Sequence, residues 1–332
     1  MKVLLLGYYG YGNFGDELMK LGIIDFLEKF NIQYTLALPK RVSKDTISRF
    51  NIFELLESIY DSDVVVYGGG GLLQDITSTR SFLYYALIIR LSLLLKTPVI
   101  LFGNSIGPVK KSCNRLTLRN ILKNRNVFLF ARDIISYKYG KYLNKSTELS
   151  CDPSIRYLRK VTSLSDKCEK KYDLIIIPRE SKNIDQYKIL RNYFDNIFIL
   201  PAQKTDYPVA KRLANILKAD LVNENDVGDV DKTISHILSS KFVVSERFHG
   251  SVVASYFGVP FLSLENSKTQ RFFRKYTQRK EFFAKDLVDF DKRIGLILNS
   301  PLNPKSEMDK ECDESFKKLY RIMIKLQSRI II

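Results

Sequence analysis

The chain has 332 residues, of which 45% are hydrophobic, and it carries a formal net charge of +17. This length suits two domains of about 150 residues each, and the apolar content excludes an intrinsically disordered chain. The N-terminal apolar run is too short for a signal peptide, and the longest apolar run, Phe82 to Leu95, is interrupted by Arg90. We therefore expect a cytoplasmic protein without a membrane-spanning segment.

The positive charge has three explanations, which composition alone leaves open. One is a nucleic-acid partner, for which residues 271–280 come nearest to a basic cluster with aromatic side chains. Another is peripheral contact with an anionic membrane surface that carries a lipid-linked substrate. The third is a background composition rich in lysine, isoleucine and asparagine. The four cysteines lie far apart, so we expect neither a zinc site nor a disulfide framework.

Apolar runs alternate with helical patterns along the first half, which predicts a parallel sheet covered by helices on both faces. The predicted strands are Val3–Leu6, Tyr34–Leu38, Val64–Tyr67, Val99–Phe102, Val127–Phe130 and a short one near Glu148–Cys151. Between the first two strands, Met19, Ile23, Phe26 and Phe30 recur at helical spacing. This spacing predicts an amphipathic helix over residues 16–30.

Residues 156–172 are charged and lack an apolar period, so we interpret them as a linker. Strands are then predicted at Leu174–Ile177, Ile197–Leu200, Ala219–Val222, Phe242–Val244 and Phe261–Leu264, before a last helix with apolar residues from Cys312 to Ile330. We expect an N-terminal domain over 1–158, a C-terminal domain over 172–305 and an amphipathic helix over 306–332. Both domains should be doubly wound, Rossmann-like α/β sheets that face each other across a cleft.

The first predicted strand runs into a glycine-rich loop. Gly10, Gly12 and Gly15 satisfy the GxGxxG spacing of a dinucleotide site. However, the motif begins three residues further along the chain than it does in a dinucleotide site, where it follows the strand at once. In addition, the second strand is followed by a basic pair, residues 40–41, where such a site has an acidic residue. Dinucleotide binding is therefore the less favoured interpretation, and the basic pair would select the 2′-phosphorylated form.

The same loop can serve a different ligand. A glycine-rich turn lets backbone N–H groups and a helix N-terminus come close to an anion or a sugar. Asn13 and Asp16 would then project into the cleft, although Asp16 fits equally well as a plain helix cap.

Three further predicted strand ends carry glycine or polar residues. The run Gly68–Gly71 follows the third strand, and four consecutive glycines favour close approach of the backbone to a ligand, here through Gly69 and Gly70. Asn104 lies in the loop after the next strand, and Arg132 follows the one after that. Since ligands bind beyond the carboxyl ends of parallel strands, these residues become candidates for a binding site.

In the second half, the predicted strand ending at Val244 leads into Ser245, Arg247 and His249 and then into a short helix. The other histidine, His236, falls inside a predicted helix, and we interpret it as a surface or core-packing residue without a role in the site. An arginine fork binds a carboxylate or phosphate bidentately, and a nearby bound anion keeps a histidine protonated. The pair therefore suits an anionic substrate that needs a proton.

Taken in order, six segments resemble the polysaccharide pyruvyl transferase family, especially its CsaB-type members. They are Gly12–Glu17, Gly68–Gly71 with Gln74-Asp75, Gly103–Pro108, Arg132–Ser136, Cys151–Ser154 and Ser245–Gly250. The segment after Pro260 departs from the family pattern, which has a tyrosine-aspartate pair near the end of that strand.

The resemblance implies a two-domain GT-B-like architecture, with phosphoenolpyruvate as donor and no metal or nucleotide cofactor. It implies that His249 is the acid, that Arg247 and Arg132 contact the donor, and that Asp16 is a base toward the acceptor hydroxyl. The further substrate-binding candidates are Asn13, Gly15, Gly69, Gly70, Asn104 and Ser245.

We therefore expect a pyruvyltransferase that forms a pyruvate ketal on a sugar of a cell-envelope polysaccharide or its lipid-linked precursor. The alternative enzyme is a GT-B glycosyltransferase that uses a nucleotide sugar, with an acid such as Glu265 on the ribose. A non-catalytic protein bound to nucleic acid or to a membrane surface is the third class. It leaves the strand-end glycines unexplained, so we expect no nucleic-acid partner.

Overall fold

The structure is a computed structural model that describes residues 1–163, 168–179, 183–264 and 267–330. The chain forms two compact units. The first unit consists of residues 1–11, 19–157 and 309–332, and the second consists of residues 12–18 and 158–308. The segment 12–18, which follows the first strand, thus groups with the second unit, and the end of the last helix groups with the first.

The first unit is built on a seven-stranded sheet in which every pairing is parallel. The strands are β1 Lys2–Leu6, β2 Gln33–Leu38, β3 Thr46–Ser48, β4 Val64–Gly70, β5 Val99–Asn104, β6 Val127–Ala131 and β7 Glu148–Leu149. Their order is β3-β2-β1-β4-β5-β6-β7, so the order reverses between β1 and β4. The central strands are buried on both faces, which explains their continuous apolar runs.

Helices cover this sheet. They are α1 Phe14–Lys29, α2 Ile52–Tyr60, α3 Thr79–Leu94, α4 Ser112–Lys123, α5 Ile134–Leu143 and α6 Ser154–Lys160. α2, α3 and α4 bury Leu55, Phe82 and Leu118, among others, in a core they share with β1, β4, β5 and β6. Asn51, Ser78 and Asp133 cap α2, α3 and α5 by accepting hydrogen bonds from backbone N–H groups of the first turn.

The last helix, α12 Lys305–Ile330, packs an apolar face as its sequence spacing predicts. Its buried apolar residues in the first unit are Cys312, Phe316, Leu319, Met323 and Leu326. The ring centroid of Phe316 lies 5.0 Å from that of Phe26 on α1 and 4.8 Å from that of Phe102 on β5. The helix is therefore part of the first unit's core over these residues.

The second unit holds a six-stranded, wholly parallel sheet of order β10-β9-β8-β11-β12-β13. The strands are β8 Tyr172–Ile177, β9 Ile197–Ile199, β10 Asp220–Leu221, β11 Ser240–Ser245, β12 Phe261–Leu264 and β13 Phe283–Ala284. Its helices are α7 Tyr207–Leu217, α8 Val230–Leu238, α9 Phe248–Tyr256, α10 Ser267–Phe273 and α11 Phe290–Asn299. The order reverses between β8 and β11, so a ligand crevice is expected at their carboxyl ends.

The predicted fold class is confirmed, because both units are parallel-sheet α/β structures. Three local predictions need correction. The strands β3 and β13 were missed, the first three glycines of the 68–71 run belong to β4, and the predicted linker begins inside α6. Residues 164–167 of that linker lie outside the described residues. Among the described helices, none has the length and apolarity needed to cross a bilayer.

Replacing Phe316 by alanine should lower the free energy of unfolding by about 3–5 kcal/mol, because a buried ring would leave a cavity between α12, α1 and β5. Urea unfolding of both proteins measures the difference. The matched control is Ile324→Ala on the same helix, where the side chain is 44% exposed. Equal losses for the two variants would show that the α12 face does not stabilise the first unit.

Candidate active site

In the second unit, the reversal of strand order brings two chain segments to neighbouring positions. β8 ends at Ile177 and is followed by Arg179, while β11 ends at Ser245 and is followed by Arg247 and His249. Ile177 and Ser245 pair directly across the two strands. Both segments therefore begin at the same edge of the sheet, where parallel α/β sheets bind their ligands.

The turn between β11 and α9 is held by Ser245. Its hydroxyl donates to the carbonyl of Arg247 at 2.8 Å and accepts from the N–H of Arg247 at 3.1 Å. Gly250 is needed for the same turn, since a Cβ there would lie 2.5 Å from the Ser245 Oγ and 2.6 Å from Ile177 Cδ1. Ser245 is fully buried, so it shapes the loop that presents Arg247 and His249.

Arg247 is oriented by a carboxylate. Its Nε donates to Asp206 Oδ2 at 2.9 Å, and its Nη2 donates to the other oxygen of the same carboxylate. The arginine side chain is 16% exposed and the aspartate side chain 3%. The pKa of Asp206 lies above its ordinary value because burial is the largest influence on it. Arg247, Arg179 and Gln203 lower this pKa but do not cancel the effect of burial. The two-point contact leaves Nη1 of Arg247 for a further anion.

Arg179 and Glu246 were missed by the sequence analysis. The backbone N–H of Arg179 donates to Glu246 Oε2, and the Tyr187 hydroxyl donates to Glu246 Oε1 at 2.7 Å. Glu246 is buried, whereas the Arg179 side chain is exposed and close enough to Asp206 to lower its pKa. The position of Arg179 just past a central strand was the one signal that could have identified it.

Asn13 belongs to this unit and joins the same network. Its Oδ1 accepts from the N–H groups of Gly15 and Asp16 at 3.1 and 3.3 Å, which caps the start of α1. Its Nδ2 donates to Gln203 Oε1 at 2.6 Å, and the backbone N–H of Asp206 donates to the Gln203 carbonyl at 2.9 Å. A hydrogen-bonded path therefore runs from the first turn of α1 through Gln203 and Asp206 to Arg247.

The closest approach in the site is between Gly15 and His249. A Cβ built on Gly15 would lie 1.9 Å from His249 Nδ1, so the ring lies directly against the α1 backbone. His249 is half-buried, its Nε2 atom is shielded from solvent, and its ring meets Phe248 edge-on with centroids 4.7 Å apart. Asp16, in the first turn of α1, follows Gly15 in the chain and is half-buried.

The structure brings together the candidates Asn13, Gly15, Ser245, Arg247 and His249 within the second unit. Asp16 also belongs to the second unit, and the remaining candidates, Gly69, Gly70, Asn104 and Arg132, lie in the first unit. Arg132 is 3% exposed there, and its Nη1 pairs at 2.5 Å with Asp152, which is fully buried. Its Nε donates to Ser105 Oγ at 2.9 Å. These contacts favour a structural role for Arg132.

The glycine run of β4 makes close contacts with its own unit. A Cβ on Gly68 would lie 2.0 Å from the Tyr9 hydroxyl, and one on Gly69 would lie 2.5 Å from Met19 Sδ. Gly69 and Gly70 both have a φ of 87°, a backbone angle that residues with a side chain rarely adopt. Asn104 is buried and donates to the carbonyls of β4 and β5 at 2.9 and 3.1 Å. These contacts give Gly68, Gly69 and Asn104 a packing function at the strand ends, while ligand contact by Gly69, Gly70 and Asn104 stays a prediction.

Asp75 fixes a neighbouring loop. Its carboxylate accepts from the backbone N–H groups of Lys110 and Lys111 at 2.6 and 3.0 Å and from the Asn114 side chain at 2.9 Å. Burial raises the pKa of Asp75, but these hydrogen bonds outweigh burial and hold it below its ordinary value. Asp75 of the Gln74-Asp75 motif thus has a structural function.

An aromatic cavity of about 260 Å³ opens elsewhere on the first unit. It is lined by Tyr8, Tyr11, Arg49, Phe50, Arg80, Ser81, Tyr84 and Tyr85. The rings of Tyr8 and Tyr11 stack at 4.3 Å, and each is about 40% exposed. Arg49 is buried, with its guanidinium 4.9 Å from the Tyr84 ring centroid and donating to the Gly7 carbonyl at 2.7 Å.

Within the described ranges, no three His, Cys, Asp or Glu side chains come close enough together to hold a metal ion. Cys151 is buried, in keeping with a structural thiol. Glu265, the residue considered for a ribose contact, lies outside the described residues.

The two parallel sheets define the GT-B class of fold, which solved structures of low identity share. UDP-GlcNAc 2-epimerase from Methanocaldococcus jannaschii has a TM-score of 0.61 at 15% identity, covering 98% of this chain and 100% of the epimerase. An Anabaena protein in complex with UDP and glucose has a TM-score of 0.56 at 10% identity, covering 98% and 100%. An α-glucosyltransferase in complex with UDP and DNA has a TM-score of 0.52 at 12% identity, covering 100% and 99%.

The family is shown by the sequence. The profile of the polysaccharide pyruvyl transferase family matches residues 13–268, and the chain belongs to that family. No match was found among curated proteins. The matched range begins at Asn13 and includes the Ser245–His249 segment.

Gly15→Ala should lower the free energy of unfolding by about 1–3 kcal/mol, because the new methyl group would overlap His249 and force the helix or the ring to move. Thermal or urea unfolding measures the loss. Gly295→Ala on α11 is the control, since a Cβ there meets nothing within 4 Å. It should raise stability by about 0.5–1 kcal/mol. If both variants were equally stable, the Gly15–His249 contact would be wrong.

Replacing Asp75 by asparagine should make the free energy of unfolding depend less on pH in the acidic range. The folded pKa is depressed, so the carboxylate stabilises the fold above its ordinary pKa of about 4 and loses this effect as the pH falls through the folded value. Wild type should therefore be more stable than Asp75→Asn near neutral pH, and the difference should narrow with acidification. A melting-temperature difference that stays constant down to about pH 3 would contradict this assignment.

Proposed function

We propose that the protein transfers the pyruvyl group of phosphoenolpyruvate to a sugar of a cell-envelope polysaccharide or its lipid-linked precursor. The product is a cyclic pyruvate ketal. Family membership supports a pyruvyltransferase, and one feature of the site supports this donor. That feature is the placement of Arg179, Arg247 and His249 at the strand-order reversal of the second sheet.

The donor carries a carboxylate and a phosphate, which need separate cationic partners. Arg247 is held in one orientation by Asp206, and its remaining N–H groups can bind one of these anions bidentately. Arg179 is exposed at the neighbouring strand end and can bind the other. The N-terminus of α9 begins at Phe248 and favours negative charge as well. We assign the donor contacts to Arg179 and Arg247 because the buried ion pair of Arg132 already occupies its guanidinium.

His249 supplies the proton in this proposal. The imidazolium proton moves to the methylene carbon, which becomes a methyl group, while the double-bond electrons form the new C–H bond. Positive charge develops at the central carbon and is shared with the ester oxygen. An anion bound beside His249 favours its charged form, as a general acid requires near neutral pH.

Two sugar hydroxyls complete the reaction. The first oxygen bonds to the central carbon and gives its proton to Asp16, the proposed base. The second oxygen displaces phosphate, whose C–O bond breaks with the electron pair leaving on phosphate. One hydroxyl proton replaces the one that His249 gave, and the other leaves with phosphate. The enol phosphate is already activated, so the proposal needs no metal or nucleotide cofactor. Its donor is an intracellular metabolite, so we place the reaction in the cytoplasm.

We assign the acceptor to the first unit. The exposed faces of Tyr8 and Tyr11 lie in an aromatic cavity whose volume of about 260 Å³ suits a monosaccharide ring. Sugar rings present C–H groups on one face, which pack well on an aromatic side chain, and hydroxyls at the edge. Arg80, exposed at the same cavity, can bind those hydroxyls or an anionic substituent.

His249→Gln should reduce phosphate release from phosphoenolpyruvate in the presence of acceptor glycan by about 10²–10⁴-fold, since glutamine cannot donate the proton. The measurement is a phosphate assay with a panel of envelope glycans. The control is His236→Gln on α8, whose ring stacks on Phe198 at 4.7 Å, and which should keep near-normal turnover. Near-normal turnover by a folded His249→Gln protein would exclude His249 as the acid.

The donor is tested separately by ligand-induced thermal stabilisation. Phosphoenolpyruvate should raise the melting temperature of the wild type and of His249→Gln, because the arginines remain, but not that of Arg247→Ala. Stabilisation by UDP or GDP instead, without an effect of phosphoenolpyruvate, would favour the nucleotide-sugar glycosyltransferase.

A further inference from the structure

The positive charge of the chain is concentrated in one segment. Residues 76–147 contain thirteen lysines and arginines and a single carboxylate, Asp133. This segment therefore contributes +12 of the net +17, and it spans α3, α4 and α5 of the first unit. Asp133 is buried and caps α5, so it presents no negative charge at the surface.

α3 exposes a single stripe that combines both kinds of side chain. Its exposed residues are Arg80, Leu83, Leu87, Arg90 and Leu94, which recur at three- and four-residue spacing. Leu83 and Leu87 are 50% and 53% exposed, and Leu94 is 77% exposed. Since positions three and four apart share one helix face, Leu83 and Leu87 lie between the two arginines, and Leu94 lies beyond Arg90 on the same face.

α4 and α5 continue this surface. α3 contacts α4 and α4 contacts α5, and Arg90 Nη2 donates to the Thr117 hydroxyl of α4 at 3.3 Å. The exposed residues of α4 include Arg115, Leu116, Arg119 and Lys123, and those of α5 are Ile135, Lys138, Tyr139, Lys141 and Tyr142. We call the exposed residues of α3, α4 and α5 the basic helix face.

The acids around the basic helix face lie at its borders. Glu57 lies on α2, which packs beside α3, and Asp61 is the C-cap residue of α2. The Asp75 carboxylate accepts hydrogen bonds from the backbone N–H groups of Lys110 and Lys111. Glu148 forms an ion pair with Lys318 at 2.9 Å. The centre of the face is thus cationic and apolar, without a carboxylate within the helices that form it.

We propose that the basic helix face docks on a membrane surface that contains anionic lipid. Lysine and arginine attract anionic headgroups, and leucine, isoleucine and tyrosine between them enter the headgroup region. A nucleic-acid face would need a groove with stacking aromatics, and it would leave the row of leucines in water. Charge and apolarity together therefore favour the lipid surface.

This inference concerns helices of the first unit and none of the proposed catalytic or donor-binding residues. Arg80 is the one residue shared with the proposed acceptor cavity, and it is not changed in the test below. A membrane-docked enzyme would meet a lipid-linked saccharide in two dimensions rather than in solution. The docking itself can be measured without turnover, so the two proposals can fail independently.

The test is co-sedimentation of the full chain with phosphatidylcholine vesicles that either contain or lack phosphatidylglycerol. We expect binding to the anionic vesicles and its loss at high salt. Arg119→Glu with Lys138→Glu should weaken vesicle affinity at least about tenfold, because two positive charges become negative and the net charge falls by about four units. Leu83→Gln with Leu87→Gln should weaken it about tenfold as well, through lost apolar contact.

Matched controls lie on the second unit, and the melting temperature of each variant establishes that it is folded. Lys211→Glu with Arg212→Glu on α7 makes the same charge change, and Leu296→Gln with Leu298→Gln on α11 removes similarly exposed leucines. Both should leave vesicle affinity within about twofold of wild type. The proposal is overturned if the charge control weakens binding as much as the test pair, or if the leucine test pair binds like wild type. Preference for duplex RNA over anionic vesicles would overturn it too.

Discussion

The arrangement of the candidate site depends on one steric constraint, the contact between the α1 backbone at Gly15 and the imidazole of His249. Any side chain at position 15 would occupy the space of the ring. The neighbouring Asn13 fixes the helix start and reaches Gln203, which leads to Asp206 and from there to Arg247. Arg247 precedes His249 by two residues, so the network closes on itself. These contacts fix the orientation of the Arg247 guanidinium and the position of the His249 ring.

Two arginines of the chain make similar ion pairs with opposite consequences. Arg132 and Asp152 are both almost fully buried, so releasing the guanidinium for a ligand would leave a carboxylate unpaired in a dry interior. Arg247 remains partly exposed, and Asp206 contacts only one edge of its guanidinium. A ligand can bind the other edge without breaking the pair. Burial, rather than residue type or position after a strand, therefore distinguishes Arg132 from Arg247, the arginine to which we assign donor binding.

The sequence predicted the sheets well because central parallel strands are apolar on both faces, and β12 was located at its observed bounds, Phe261–Leu264. β3 and β13 were missed, although the similarly short β7 and β10 were located approximately. In β3 only Ile47 is apolar, between Thr46 and Ser48, so no apolar run marks the strand. The 68–71 glycines were assigned to a ligand, yet Tyr9 and Met19 fill the space beside Gly68 and Gly69. Such long-range contacts leave no local signal. The same is true of Asp206, whose role depends on Arg247, 41 residues later.

The outer surface of the first unit has an apolar pattern that packing against the core does not explain. A helix that is apolar on every side is normally buried on every side. α3 buries Phe82, Ile88 and Ile89 in the core, yet it exposes three leucines on the opposite face. Packing in the core explains the buried residues of α3 but not its exposed leucines. Arginines flank these leucines on the same face. Because the cations of α4 and α5 extend the same surface, an anionic and partly apolar partner accounts for both properties, which a background of basic residues does not.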